Sequence, residues 1–393
     1  RRAIGLAQRS KKGGRMSKSR NIFEDVSQTA KPAATPGGVS RDRGQGRRWT
    51  RVFVMVLFAM VAIMIAIGGM TRLTDSGLSI TEWAPISGAV PPLNEADWLS
   101  EFELYQQTTE YQEQNRGMSL DEFKYIYFWE WGHRQWGRMI GLVWAIGLGA
   151  LLLSKSVPVG WTGRLVILGA LGGLQGAVGW WMVYSGLAPG MFDVASYRLA
   201  THLGLAFFIL ALMAWYILLL SREEGALMQA RRGADRKLKG MSTGLMHLAF
   251  VQILIGALVA GIDAGRNYID WPLMAGGFTP PGMWAIEPWY RNLFENDGTV
   301  QFIHRMVGYV LFLFGIGVWF ASRKSGNPHT RRAFDWVAVM MLAQMVIGIV
   351  TVMNSAPVAL ALAHQLGAVV LIVLIMRARF VSIYPIPTSV REG

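Results

Sequence analysis

Apolar residues run almost unbroken through eight stretches of this chain, each near the ~20 residues that a helix needs to cross roughly 30 Å of hydrocarbon. They lie at about 52–70, 133–154, 165–184, 199–221, 241–262, 300–322, 334–353 and 358–376. None alternates apolar with polar positions, so the pattern predicts membrane helices and not the strands of a barrel. An even number of crossings puts both termini on one side. Polar and aromatic residues gather instead in a long segment at 71–132, which carries Pro91-Pro92, and in a second around 271–289. Structureless loops of that length are uncommon without a function, so each is expected to cover a site or to dock a partner. Their tryptophans and tyrosines equally suit an interfacial belt.

Charge orients the pattern. Of 38 Lys and Arg residues, 29 fall in the amino tail, the second, fourth and sixth connections and the carboxyl tail, whereas 17 of the 25 acidic residues fall on the opposite side. The basic side is therefore read as the inside. The same asymmetry accounts for the net charge of +13 without a nucleic-acid partner. A chain that is 52% hydrophobic and only 16% charged is too apolar for an ordinary soluble domain. It has no cysteine, which removes disulfides and thiolate metal ligation. Residues 1–50 read as a basic disordered tail. The run from Met16 to Asp25 looks like a bacterial start, and Glu24 and Asp25 do not suit a mitochondrial presequence. A bacterial inner (plasma) membrane with both termini cytoplasmic is expected, with the mitochondrial inner membrane as the alternative.

The chain also repeats itself. Asp75-Ser76-Gly77 followed by Trp83 recurs 188 residues later as Asp263-Ala264-Gly265 followed by Trp271. Gln175-x-x-x-Gly179 recurs as Gln344-x-x-x-Gly348, and His202 is answered by His364. Two halves of four helices, 51–221 and 241–378, with an inner linker at 222–240 and a tail at 379–393, follow as parallel repeats. The predicted fold is an all-α integral membrane protein of two pseudo-symmetric four-helix bundles.

Against this apolar background the run Trp129-Glu130-Trp131-Gly132-His133-Arg134-Gln135-Trp136-Gly137-Arg138 stands out, with an echo at Gln301-Phe302-Ile303-His304-Arg305. Ionisable residues at such a depth are costly and mark sites. A lone helical histidine is more often packing than a ligand. His133, His202, His304 and His364 instead form one pair per half near the outer helix ends, which points to metal ligation, whereas His247 and His329 have no repeat mate. Two imidazoles from facing helices suit the two axial positions of a haem iron. Zinc would want three or four protein ligands, and neither half offers a third. Arg134, Arg138 and Arg305 could then pair with haem propionates, or merely snorkel at the interface. Glu130 precedes His133 by three residues, where the other half has Gln301. A carboxylate there can relay protons or stabilise a developing cation, so the amino-terminal site is expected to be the reactive one. The alternative is an interfacial Glu130 paired with Arg134.

Eight helices in two halves, the Glu-x-x-His-Arg run, the second His-Arg pair and the paired His202 and His364 resemble the haem A synthase family over roughly residues 45–380. The lack of cysteine resembles its alphaproteobacterial and mitochondrial subgroup and departs from members with an outer-loop disulfide. The resemblance implies oxidation of the C8 methyl of haem O to a formyl group through an alcohol, with haem b as cofactor. It places the substrate haem at His133 and His202 and haem b at His304 and His364, and it makes Glu130 the catalytic carboxylate. The implied partners are haem O and haem A, haem O synthase, cytochrome oxidase assembly proteins and membrane lipid, with a homo-oligomer left open. Two other classes stay open: a bis-histidine dihaem electron carrier or quinol oxidoreductase, which would tolerate Gln at position 130, and a scaffold that binds haem O unchanged.

Overall fold

The structure, a computed structural model, is described for residues 41–191 and 193–388. In chain order its helices are α1 (Arg41–Leu73), α2 (Glu95–Gln106), α3 (Thr109–Glu113), α4 (Leu120–Leu153), α5 (Thr162–Gly186), α6 (Ser196–Leu220), α7 (Glu224–Ala230), α8 (Arg236–Gly261), α9 (Asn292–Glu295), α10 (Asp297–Ser322), α11 (Pro328–Met353) and α12 (Val358–Ile383). Eight of them, α1, α4, α5, α6, α8, α10, α11 and α12, are long and apolar enough to cross a membrane, and no strand occurs among the described residues. The all-α class and the eight crossings stand as expected.

Several boundaries move outward, because a helix continues past its apolar stretch wherever caps and good helix formers allow. Residues 41–50, expected in the disordered tail, are the first turns of α1, and 379–383 are the last turns of α12. Residues 1–40, with the Met16 segment, lie outside the described residues. The largest shift is at α4, which begins thirteen residues before His133. Its start is set by a capping box: the Ser119 hydroxyl accepts from the Glu122 amide at 3.3 Å while the Glu122 carboxylate accepts from the Ser119 amide at 2.8 Å. Glu130, His133, Arg134 and Arg138 therefore share one continuous helix.

The centre of the molecule is made by α6, α8 and α12. Helix α8 packs on α6, α10 and α12, α11 lies against α10 and α12, and α5 lies against α4 and α6. Because α6 packs along α8 as closely as α10 does, the two halves share one apolar core. It runs through Leu57, Leu165, Leu210, Leu245, Val318 and Ile375. The expected linker at 222–240 is largely helical, occupied by α7 and by the start of α8, where Asp235 accepts from the Leu238 amide at 2.9 Å. The amino-terminal half is more open: only 11% and 6% of the α4 and α5 spans are buried, against 44% of α6. Exposed Leu142, Ile146 and Ile167 leave those faces to lipid.

The long outer segment is not a loop. Helices α2 and α3 fold against the first turns of α4 around Phe102, Tyr105, Phe123, Ile126 and Tyr127, with Trp98 edge-on to Tyr127 at 5.0 Å. Aromatic pairs of this geometry contribute beyond their buried area, so this cap carries its own small core.

Candidate functional site

Long-range packing brings the four matched histidines into two facing pairs. The ring centroids of His133 on α4 and His202 on α6 are 6.4 Å apart, and those of His304 on α10 and His364 on α12 are also 6.4 Å apart. Each ring lies against a glycine of the neighbouring helix: Gly68, Gly179, Gly256 and Gly348 respectively. A Cβ built at those four positions would stand 2.9, 2.8, 3.0 and 2.9 Å from the ring's Cε1. Any side chain there would displace the imidazole. The Nδ1 atoms of His133 and His364 are buried without a hydrogen-bond partner, an omission that native interiors rarely tolerate unless an ion or ligand completes the site. His247 and His329 stay apart, the first bonded through Nδ1 to Thr243 O at 2.9 Å, the second in the opening turn of α11.

One layer of the site was not foreseen. Gln175 donates to the His202 carbonyl at 3.0 Å, Gln252 to that of His304 at 2.9 Å, and Gln344 to that of His364 at 3.0 Å. Gln175 and Gln252 also come within 3.2 and 3.1 Å of the Nδ1 of their histidines. Each glutamine precedes its cradle glycine by four residues, so one turn of helix holds the ring and the next holds the backbone behind it. The signal was in the sequence: the Gln-x-x-x-Gly repeat is this device, and Gln252-x-x-x-Gly256 is its third copy. The fourth histidine has Met64-x-x-x-Gly68 instead.

At the outer ends of α4 and α10 the same contacts recur 188 residues apart. Arg134 donates to Ile80 O at 3.0 Å and Glu82 O at 3.1 Å, as Arg305 does to Tyr268 O at 2.8 Å and Asp270 O at 3.0 Å. Arg138 reaches Pro85 O and Ala84 O, both at 3.0 Å. The three arginines expected to meet propionates therefore spend donors on loop carbonyls and pin the outer segments to the helices. Glu130, 3% exposed, accepts from Ser79 Oγ and Ile80 N at 2.8 Å each and from Arg134 at 2.6 Å. Its mate Gln301 donates to Ala264 O at 2.8 Å and accepts from Arg305 at 3.0 Å. The loop presents donors in one half and an acceptor in the other, so carboxylate against amide is in part a matching of hydrogen-bond polarity.

A cavity of about 320 Å³ lies against the carboxyl-terminal pair, lined by His304, His364, Gly256, Gly348, Arg266 and Arg305. That volume is within the range of ligand sites. Its rim also includes Arg72, which is held by Asp75 at 2.5 Å and by Asp263 at 3.0 Å. These are the two repeat-mate aspartates, so one guanidinium from α1 ties the halves together.

The cap also buries an acid. Glu110 on α3 is 4% exposed and its Oε2 has no partner. Burial first, and the nearby charge of Glu130 second, push its carboxyl up to about 8. The folded protein thus keeps a proton that the unfolded chain releases near 4.5. Stability should fall as pH rises between these values and level off above them. Glu110→Gln is expected to remove that slope and to gain a few kcal/mol at the alkaline end. Thermal unfolding from about pH 5 to about pH 9 reads this directly, and a profile identical to the parent's would refute it.

Eight spanning helices that enclose two facing-imidazole sites, each under an outer segment pinned by arginine, define a polytopic membrane protein built to hold flat ligands between paired histidines. The chain belongs to the cytochrome oxidase assembly protein family, COX15-CtaA, which it matches over residues 51–376. It is 71% identical over 376 residues to a Jannaschia sp. protein named "Heme A synthase", an alignment that covers 96% of this chain and 99% of that protein. Proteins of the same name from Dinoroseobacter shibae and Paracoccus denitrificans are 63% and 54% identical, covering 96% and 95% of this chain and 99% and 98% of theirs.

Proposed function

We propose that this protein is a haem A synthase, which oxidises the C8 methyl of haem O to a formyl group through the alcohol, in a bacterial inner membrane with both termini cytoplasmic. The observation that carries the reading is the pair of facing imidazoles in each half, every ring seated in a glycine cradle. Glycine cradles and orphaned buried Nδ1 atoms fit a planar ligand held between two imidazoles.

In this reading His304 and His364 hold haem b, whose chemistry when bound is electron transfer. His133 and His202 hold the substrate haem. Methyl to alcohol and alcohol to aldehyde are two successive two-electron oxidations, each releasing protons. Glu130 stands one turn before His133, fixed by three donors. A carboxylate pre-positioned in this way stabilises positive charge as it develops at the methyl carbon without having to reorganise. Arg134 and Arg138 hold the outer segment over the site and keep water from the reacting carbon. The donors they have left over are free for propionates.

The bis-histidine electron carrier keeps one specific observation in its favour, since Glu130 is accounted for by loop contacts alone. Pigment extraction decides between the two. The protein purified from a host that makes haem O but lacks its own haem A synthase is expected to yield haem B together with haem A or the alcohol intermediate. Haem B alone would turn the assignment to a carrier, and haem O bound but unaltered would turn it to a scaffold.

A further inference from the structure

Nine Lys and Arg residues lie on the outer side of the membrane helices. Seven have partners: Arg72, Lys124, Arg134, Arg266 and Arg291 are paired with carboxylates, and Arg138 and Arg305 are bound by carbonyl and amide oxygens. Arg116 is exposed in the turn before α4. Arg198 is different. It is half-buried in the first turn of α6, its Nε is shielded from solvent, and among the described residues it has neither an ion pair nor a hydrogen bond. Its guanidinium lies 4.6 Å from the Trp181 ring centroid and 5.8 Å from that of Tyr197.

Position gives this cation its meaning. Arg198 precedes His202 by four residues, so it projects from the same face of α6 about 6 Å nearer the outer surface. A guanidinium flat on an indole keeps its edge donors free for a planar, bidentate anion. Burying part of a cation without a counter-charge is costly, and a carboxylate brought by a ligand would offset that cost. The feature also belongs to one half only. His202 is matched by His364, and at the same offset of 162 residues Arg198 is matched by Leu360. The other cavity draws its cations from Arg266 and Arg305.

We propose that Arg198 is the carboxylate-binding residue of the amino-terminal site, taking a propionate of the tetrapyrrole held by His133 and His202. The inference rests on the reading of that pair as the substrate site. Arg198 orients the macrocycle by its acidic edge, which sets the ring position presented to Glu130.

The test compares the purified full-length protein with Arg198→Leu, which installs the residue of the matched position, and with Arg198→Lys. Each is titrated with ferric haem B and with its dimethyl ester, read by Soret absorbance. The parent is expected to prefer the diacid. Arg198→Leu should weaken diacid binding roughly tenfold and leave the ester unchanged, with Lys between. Equal loss for both ligands would mean a structural role and would overturn the proposal, as would unchanged diacid binding. A parent that does not distinguish acid from ester, with less phospholipid co-purifying with Arg198→Leu, would assign the cation to a lipid phosphate and overturn it too. His202→Ala separates the two levels. If it leaves the added haem bound, the substrate-site reading falls. If it releases the haem while Arg198→Leu does not, only the arginine's role falls.

Discussion

His304→Ala is expected to abolish the b-type absorbance spectrum of the purified protein, because one axial position of the carboxyl-terminal pair is lost outright. The cradle should matter almost as much. A branched side chain in Gly256→Val starts from a Cβ 3.0 Å from the His304 ring. The ring has no low-energy way to keep both its rotamer and its place opposite His364. Gln252→Leu removes the donor on the His304 carbonyl and is expected to cost roughly 10–100-fold in haem affinity, as outer-shell partners of metal ligands do. The order His304→Ala, then Gly256→Val, then Gln252→Leu is read from haem content per protein. A His304→Ala protein that keeps its b spectrum would overturn the placement of haem b between α10 and α12.

Glu130 substitutions should show the second large effect, in product and not in cofactor. Glu130→Ala leaves Ser79 Oγ, the Ile80 amide and the Arg134 guanidinium without their common acceptor. Stranding one partner of such a buried pair costs about 3–5 kcal/mol. A fall in haem A after this substitution would therefore mix chemistry with a loosened cap. Glu130→Gln is the cleaner variant, since an amide oxygen still accepts from Ser79 and Ile80. Haem A formation in Glu130→Gln should drop by about 10²–10⁴, the range for loss of a proton-transfer group, while haem b content stays at the parent level. Gln301→Glu is the structural control: it sets a carboxylate against the Ala264 carbonyl, so it should lower the unfolding temperature without stopping product formation. Product chromatography alongside thermal unfolding separates the cases. Glu130→Gln with full haem A formation would reduce Glu130 to a loop anchor.

Both experiments bear on a point that the chain alone left ambiguous. Glu130 and Gln301 first stood as a contrast between a reactive and an unreactive half. In three dimensions each is also the residue that receives its own i+4 arginine and grips the loop returning from the preceding helix. The polarity of that grip, donors at Ser79 and Ile80 but acceptors at Ala264 and Tyr268, is sufficient to select acid in one half and amide in the other. Similarly, Arg134, Arg138 and Arg305 first stood as propionate ligands, but their nearest acceptors are carbonyls that arrive from segments up to 54 residues away. Arg198, which drew no notice in the sequence, is the outer cation left half-buried and without a partner.

What the sequence determined by itself was local or periodic: eight apolar crossings, the helical class, the aromatic-rich outer segments, and the pairing of His133 with His202 and His304 with His364 through the internal repeat. Hydrophobic length and period depend only on neighbours along the chain, and repetition marks equivalent positions whatever the fold. Tertiary structure alone decided that four glycines on adjoining helices receive the four rings, that three glutamines hold the backbone behind them, that Arg72 joins the halves, and that an acid is buried in the cap. Each of these is an encounter between residues far apart in sequence. Burial and hydrogen-bond partnership are properties of the space between helices, and no pattern along a single helix contains them.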